Sequence, residues 1–229
     1  MREIVLDTET TGLDPAVGHR VIEIGCVELY NHVATGSTFQ RYLNPERSIP
    51  AEAFAVHGLS EAFLADKPRF AEVADAMLAF LGDARLVIHN AVFDLGFLNA
   101  ELARLGRQQL PAERAIDTVR LAREKFPGAL VNLDALCRRF DIDLADRTLH
   151  GALKDAQLLA HIYLQLRGGR EPTLTLVRSR TAAQKAPAPM RTPRLIEPTT
   201  EEAAAHAALV QKLKNPLWVE LMPALADSC

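Results

Sequence analysis

The order of the apolar runs constrains this chain more than any other feature. Ile4-Val5-Leu6 is a short strand-type run ending in Asp7-Thr8-Glu9, and Thr10-Thr11-Gly12 breaks it. Val21-Ile22-Glu23-Ile24-Gly25-Cys26-Val27-Glu28-Leu29 reads as a second strand. Thr38 to Leu43 is expected to pair with it, giving an antiparallel start, and Asn44-Pro45 and Ile49-Pro50 mark loops. The period then changes. Residues 70–81 carry apolar positions spaced near ~3.6 and predict a helix. Arg85-Leu86-Val87-Ile88-His89 reads as a buried strand, with helices expected over about 95–105, 117–125, 132–140 and 153–167. Hairpins first, then strands alternating with helices, imply an α/β domain with a mixed β-sheet flanked by helices.

The chain has 229 residues, enough for one well-buried domain and an appendage. Its charge is uneven. Residues 1–175 hold 19 Lys+Arg against 24 Asp+Glu, and the remainder hold 7 against 5. Proteins that grip long duplexes by charge alone are usually basic. An acidic domain can still meet a polyanion if divalent cations on its carboxylates reverse the local potential. Cys26, Cys137 and Cys229 are an odd set with no close pairing and suggest neither a disulfide framework nor a cysteine metal site. A reduced, cytoplasmic compartment is expected. No signal sequence is recognised at the start, and no apolar stretch approaches the roughly 18 residues of a membrane span, so no membrane partner is expected.

From Arg178 to Arg194 the character changes: Pro187, Pro189 and Pro193, five Lys/Arg and no acid. Such a segment reads as a flexible linker. Beyond it, Glu201 to Leu213 is Ala-rich and helix-capable, and Pro216-Leu217-Trp218 holds the only Trp. A small apolar cluster behind a tether cannot build its own core, so it reads as a docking segment. The organisation expected is a folded domain over 1–175, a linker over 176–194 and a docking segment over 195–229.

Asp7 and Glu9 stand two apart on a predicted strand and so share one face. Adjacent carboxylates at a strand end repel unless a cation lies between them, and hard divalent ions take such oxygen ligands. Alone, Asp-x-Glu is a weak signal, because acids beside a turn are usually just solvated. Asp94 follows a buried strand, where it serves either as a helix cap or as a third carboxylate at the strand ends. Five positions on a continuous helix separate His150 and Asp155 by about 140°. They converge only if His150 precedes the helix, in a loop that Gly151 permits. Asp155 then projects from the first turn.

Taken together, these residues resemble a known family. Asp7-Thr8-Glu9-Thr10-Thr11-Gly12, Asn90-x-x-Phe93-Asp94-x-x-Phe97-Leu98 and His150-x4-Asp155 look like the three exonuclease motifs of the DEDD superfamily, in order, with the third resembling the DEDDh branch. The resemblance covers roughly residues 3–167 and implies the ribonuclease H-like exonuclease fold. It implies that Asp7, Glu9, Asp94 and Asp155 hold two divalent cations, Mg²⁺ or Mn²⁺, with His150 as general base. The family's substrate loop is recognisable in Ile49-Pro50-Ala51-Glu52 and Val56-His57-Gly58-Leu59. Glu52 and His57, with Asp7, Glu9 and Asp155, are therefore expected at the terminal nucleotide.

The tail narrows the resemblance. Thr200-Glu201-Glu202-x2-Ala205-His206, Leu209-Val210-Gln211-Lys212 and Leu217-Trp218 are similar to the carboxy-terminal segment of bacterial polymerase III epsilon subunits. In that family the segment binds the polymerase (alpha) subunit. Gly168 to Leu176 lies where the family carries a sliding-clamp motif, although this sequence lacks the motif's Gln. A clamp contact near Leu174 and Leu176 stands there beside a plain linker as alternatives. The resemblance implies proofreading 3′→5′ exonuclease activity on a single-stranded or frayed DNA 3′ end, releasing nucleoside 5′-monophosphates. It adds a small stabilising subunit to the partners. The alternative is a free-standing DEDDh exonuclease acting on RNA or single-stranded DNA.

Overall fold

The computed structural model describes residues 1–144, 149–169 and 198–214. The expected linker over 176–194, the clamp candidates Leu174 and Leu176, and Leu217 and Trp218 lie outside them. The chain divides into two units, Met1–Thr175 and Leu176–Cys229.

The first unit is built on a five-stranded sheet in the order β3-β2-β1-β4-β5. Strand β1 (Arg2–Thr10) pairs antiparallel with β2 (Val21–Tyr30), which pairs antiparallel with β3 (Val33–Tyr42). On its other side β1 runs parallel to β4 (Arg85–Ile88), and β4 to β5 (Ala115–Asp117). The sheet is therefore mixed, as the order of runs predicts. Strand β5 is three residues long, too short for an alternation to register in the sequence.

Because side chains alternate along a strand, β1 feeds two cores. Ile4 and Leu6 enter the first, with Phe70 and Met77 of helix α3 (Phe70–Leu81) and Leu98 of α4 (Ala91–Arg104). Val5 enters the second, with Val27, Leu29 and Val87 and with Ala156, Leu159 and Tyr163 of α7 (Ala152–Leu166). A third cluster joins α5 (Thr118–Lys125) and α6 (Leu133–Arg139) to α7 through Ala122, Leu136, Cys137 and Ile162. Leu6 is fully buried, and truncating it to Ala should cost about 2–5 kcal/mol. Parity on β1 then sends Asp7 and Glu9 to the α7 face, while Thr8 points towards α4.

Helix α1 (Ala51–His57) stands where the sequence reads a substrate loop, and α2 (Glu61–Leu64) in a stretch to which the sequence assigns no element. Both are short, and only His57 and Leu64 are buried, so neither leaves a periodic stripe. Helix α4 begins four residues earlier than expected. Its N-cap is Asn90 in the left-handed region (φ 71°), a conformation Asn tolerates, so Asp94 lies in the first turn instead of capping it. Helix α7 begins after His150, as the spacing required. Gly151, however, is extended (φ −156°), a conformation open to any residue. The glycine that matters is Gly25, where an added Cβ would lie 2.2 Å from the Ala152 carbonyl carbon and the Leu153 nitrogen. The start of α7 rests directly on β2 there.

In the second unit, α8 (Thr200–Lys212) starts with a capping box in which Thr199 and Glu202 satisfy each other's backbone N–H groups. Its described side chains are exposed apart from the half-buried Val210, with Leu209 and Leu213 on the surface. Among the described residues no helix is long and apolar enough to cross a membrane.

Candidate active site

The acids meet where β1 ends. Ligand atoms of Glu9, His150 and Asp155 lie within 4.8 Å of one another. His150 Nδ1 is 3.1 Å from Asp155 Oδ2. The structure thus brings these sequence-predicted residues together, from β1, the segment before α7 and the first turn of α7. Asp94 arrives from the opposite face, its Oδ1 accepting a 2.7 Å hydrogen bond from the Thr8 hydroxyl. Asp7 sits among them. Burial first, then the charges of Asp94, Glu9, Asp155 and Glu23, hold its carboxyl well above the usual carboxylate range. Asp94 is pushed up to about 7, chiefly by burial, against the lowering effect of the Thr8 hydrogen bond. Buried carboxylates that raise one another's proton affinity are poised to exchange protons for a cation. Their hard oxygen donors suit a divalent ion such as Mg²⁺ or Mn²⁺.

A cavity of about 560 Å³ opens beside this cluster, lined among others by Glu9, Leu13, Glu52, Val56, His57 and Phe93. The predicted substrate residues Glu52 and His57, both on α1, therefore line the same cleft as Glu9. His57 is buried, and its Nδ1 accepts the Leu59 N–H at 3.0 Å. That contact leaves the ring proton on Nε2, a buried atom with no hydrogen-bond partner among the described residues. Burial also lowers the His57 pKa, favouring the neutral ring. The loop between β1 and β2 that walls the cleft is pinned by Arg20, whose Nε and Nη2 donate to the buried Glu101 at 2.6 and 2.9 Å. The His150 N–H donates to the Val56 carbonyl, joining the α1 wall to the segment carrying His150.

Sequence reasoning missed Thr8 and Glu23. Thr8 was hidden by its neighbours, since a hydroxyl between two acids carries no signal of its own. Glu23 did leave one: it is an acid inside an otherwise apolar strand, and it pairs across the sheet with Glu9.

A mixed sheet with four acids and a histidine gathered at the end of its central strand defines a nuclease-type site, and the family model described as Exonuclease (RNase_T) matches residues 4–163. A solved structure of the nuclease domain of 3′hExo, titled as a DEDDh family member, superposes with a TM-score of 0.64 at 21% identity, over 72% of this chain and 91% of that one, which shows the fold. Among curated relatives, DNA polymerase III subunit epsilon of Rickettsia conorii is 47% identical, over 93% of this chain and 96% of its own length. The protein of that name from Escherichia coli is 45% identical, over 92% and 94%. The chain belongs to the exonuclease family and, within it, to the DNA polymerase III epsilon subunits.

Proposed function

We propose that this chain removes mispaired nucleotides one at a time from the 3′ end of DNA, as the proofreading subunit of a bacterial replicative polymerase. The observation that carries the reading is the convergence of Glu9, His150 and Asp155 at the end of the central strand, beside Asp7 and Asp94. In this reading Asp7, Glu9, Asp94 and Asp155 hold two divalent cations, Mg²⁺ or Mn²⁺. When bound, such ions compensate charge on the attacking and leaving oxygens of a phosphodiester.

The chain's own residues do the rest. A His150 tautomer with its proton on Nδ1 donates to Asp155 and presents Nε2 as the base that takes a proton from the attacking water. The His150 side chain is about half exposed, at 47%, so water reaches the ring. Glu52 and His57 bind the terminal nucleotide. An unsatisfied buried N–H costs about 1–3 kcal/mol, and an acceptor on the nucleotide would relieve that cost at His57 Nε2.

The docking segment over 195–229 binds the polymerase subunit through Leu209, Leu213, Leu217 and Trp218. The linker over 176–194 lets the exonuclease domain reach the primer end, with Leu174 and Leu176 contacting the sliding clamp. Leu209 and Leu213 are both exposed large apolar residues, which supports a partner for this helix. The test is a pull-down of the polymerase subunit with the full chain and with residues 1–177. Capture by the full chain alone is expected. Capture by both would move docking to the catalytic domain, and capture by neither would favour a free-standing nuclease.

A further inference from the structure

Helix α7 carries Asp155 in its first turn and follows directly on His150, yet its own N-cap, Gly151, offers no side chain. The first N–H groups of a helix have no partner within it and must find one elsewhere. Here the partner comes from 129 residues away in sequence. Glu23, a β2 residue only 1% exposed, accepts the Ala152 N–H on Oε2 at 3.1 Å. Its other oxygen, Oε1, accepts from Gln40 Nε2 at 2.8 Å, so β3 braces the carboxylate from the far side. Two residues along β2, Gly25 lets the backbone of Ala152 and Leu153 come down onto the strand. Glu23 is also the cross-strand partner of Glu9. One buried acid therefore ties the start of α7 to the strand pair that carries Asp7 and Glu9.

We propose that Glu23 is a positioning residue for the reaction: it caps α7 from the neighbouring strand and so fixes His150 and Asp155 against Glu9. A burial argument alone does not explain it, since an acid in an apolar strand is costly unless its hydrogen bonds do something in return. Its carboxylate also suits the positive end of a helix dipole. The role is geometric. Gln has the same reach and an acceptor oxygen for the Ala152 N–H, and the Gln40 amide can turn to present its own oxygen to the new NH₂. Asp keeps the charge but falls a methylene short.

The inference rests on the roles assigned above to Asp155 and His150, and the experiment separates the two. Full-length wild type, Glu23→Gln, Glu23→Asp, Glu23→Ala and Asp155→Ala are compared for steady-state release from a single-stranded oligonucleotide. Hydrogen exchange of the Ala152 amide is followed in the metal-free proteins. Glu23→Asp and Glu23→Ala should lose about 10–100-fold in kcat, the range typical of residues that orient a ligand, with KM little changed. Their Ala152 amides should exchange faster. Glu23→Gln should recover most of the turnover and the slow exchange. If Glu23→Ala does not fold, the Asp and Gln variants still decide. Wild-type turnover in Glu23→Asp, or a Gln variant as impaired as the Asp one, overturns the proposal. An active Asp155→Ala would instead overturn the site assignment beneath it.

Discussion

Glu3 and Asp7 stand on the same strand and the same face, one at each end, and the protein treats them in opposite ways. Glu3 is 1% exposed and satisfied: the Tyr163 hydroxyl donates to Oε1 at 2.7 Å, and His32 Nδ1 lies 2.7 Å from Oε2. Burial and then Glu3 itself push the Tyr163 phenol far up, so it stays a donor. Asp7 is met by carboxylates instead, and burial first, then their charges, raise its proton affinity. Donors around a buried acid make a structural anchor, whereas further acids around it make a cluster whose oxygens suit a cation. Burial alone does not separate the two; the sign of the neighbours does.

The sharpest way to break this comparison is to remove acids from the crowded end. Asp7→Ala and Asp155→Ala should leave folded proteins that have lost nearly all nucleotide release. A variant retaining more than about a tenth of the wild-type rate, a loss under ~1.4 kcal/mol in transition-state stabilisation, would contradict the site. His150→Ala should be next in size, about 10²–10⁴-fold in turnover if it serves as general base. Divalent-ion binding, followed by calorimetry, should barely change. An intact rate with weakened ion binding would make His150 a ligand instead.

Proton linkage sharpens the contrast further. Burial pushes Asp94 up to about 7, against ~3.9 for an unperturbed Asp. Between those values the folded chain binds the extra proton. Its stabilising contribution is therefore full below about pH 4 and is lost as pH rises through about 7. Scanning calorimetry in chelator should show a lower melting temperature at pH 8 than at pH 5.5, and Asp94→Asn should flatten that difference. An unchanged slope in Asp94→Asn would remove Asp94 as its cause. The satisfied end should respond only in stability. Glu3→Ala strands the Tyr163 hydroxyl and should cost about 1–3 kcal/mol in denaturant unfolding, with release per folded molecule unchanged. A loss of turnover there would mean that the two ends of β1 are coupled.

Much of this was legible in the chain. The runs at Ile4–Leu6, Val21–Leu29 and Arg85–Ile88 predict strands, and the motifs around Asp7, Asp94 and His150 carry the family. What escaped was whatever depends on distant partners. The α4 cap at Asn90 rests on a left-handed backbone that an Asn does not announce, and α1 buries too little to leave a period. Glu23 could be noticed as an acid in an apolar strand. Its acceptor role requires α7 to cross β2 at Gly25, which only the fold decides.

The most direct measurement is a digestion of 5′-labelled DNA ending in a mispaired 3′ nucleotide, with Mg²⁺ or Mn²⁺, by the full chain and by Asp155→Asn. The account predicts a ladder shortened one nucleotide at a time from the 3′ end by the wild-type chain, stopped by chelator and absent with Asp155→Asn. Cleavage that starts at the 5′ end, persists in chelator or survives in Asp155→Asn would contradict it.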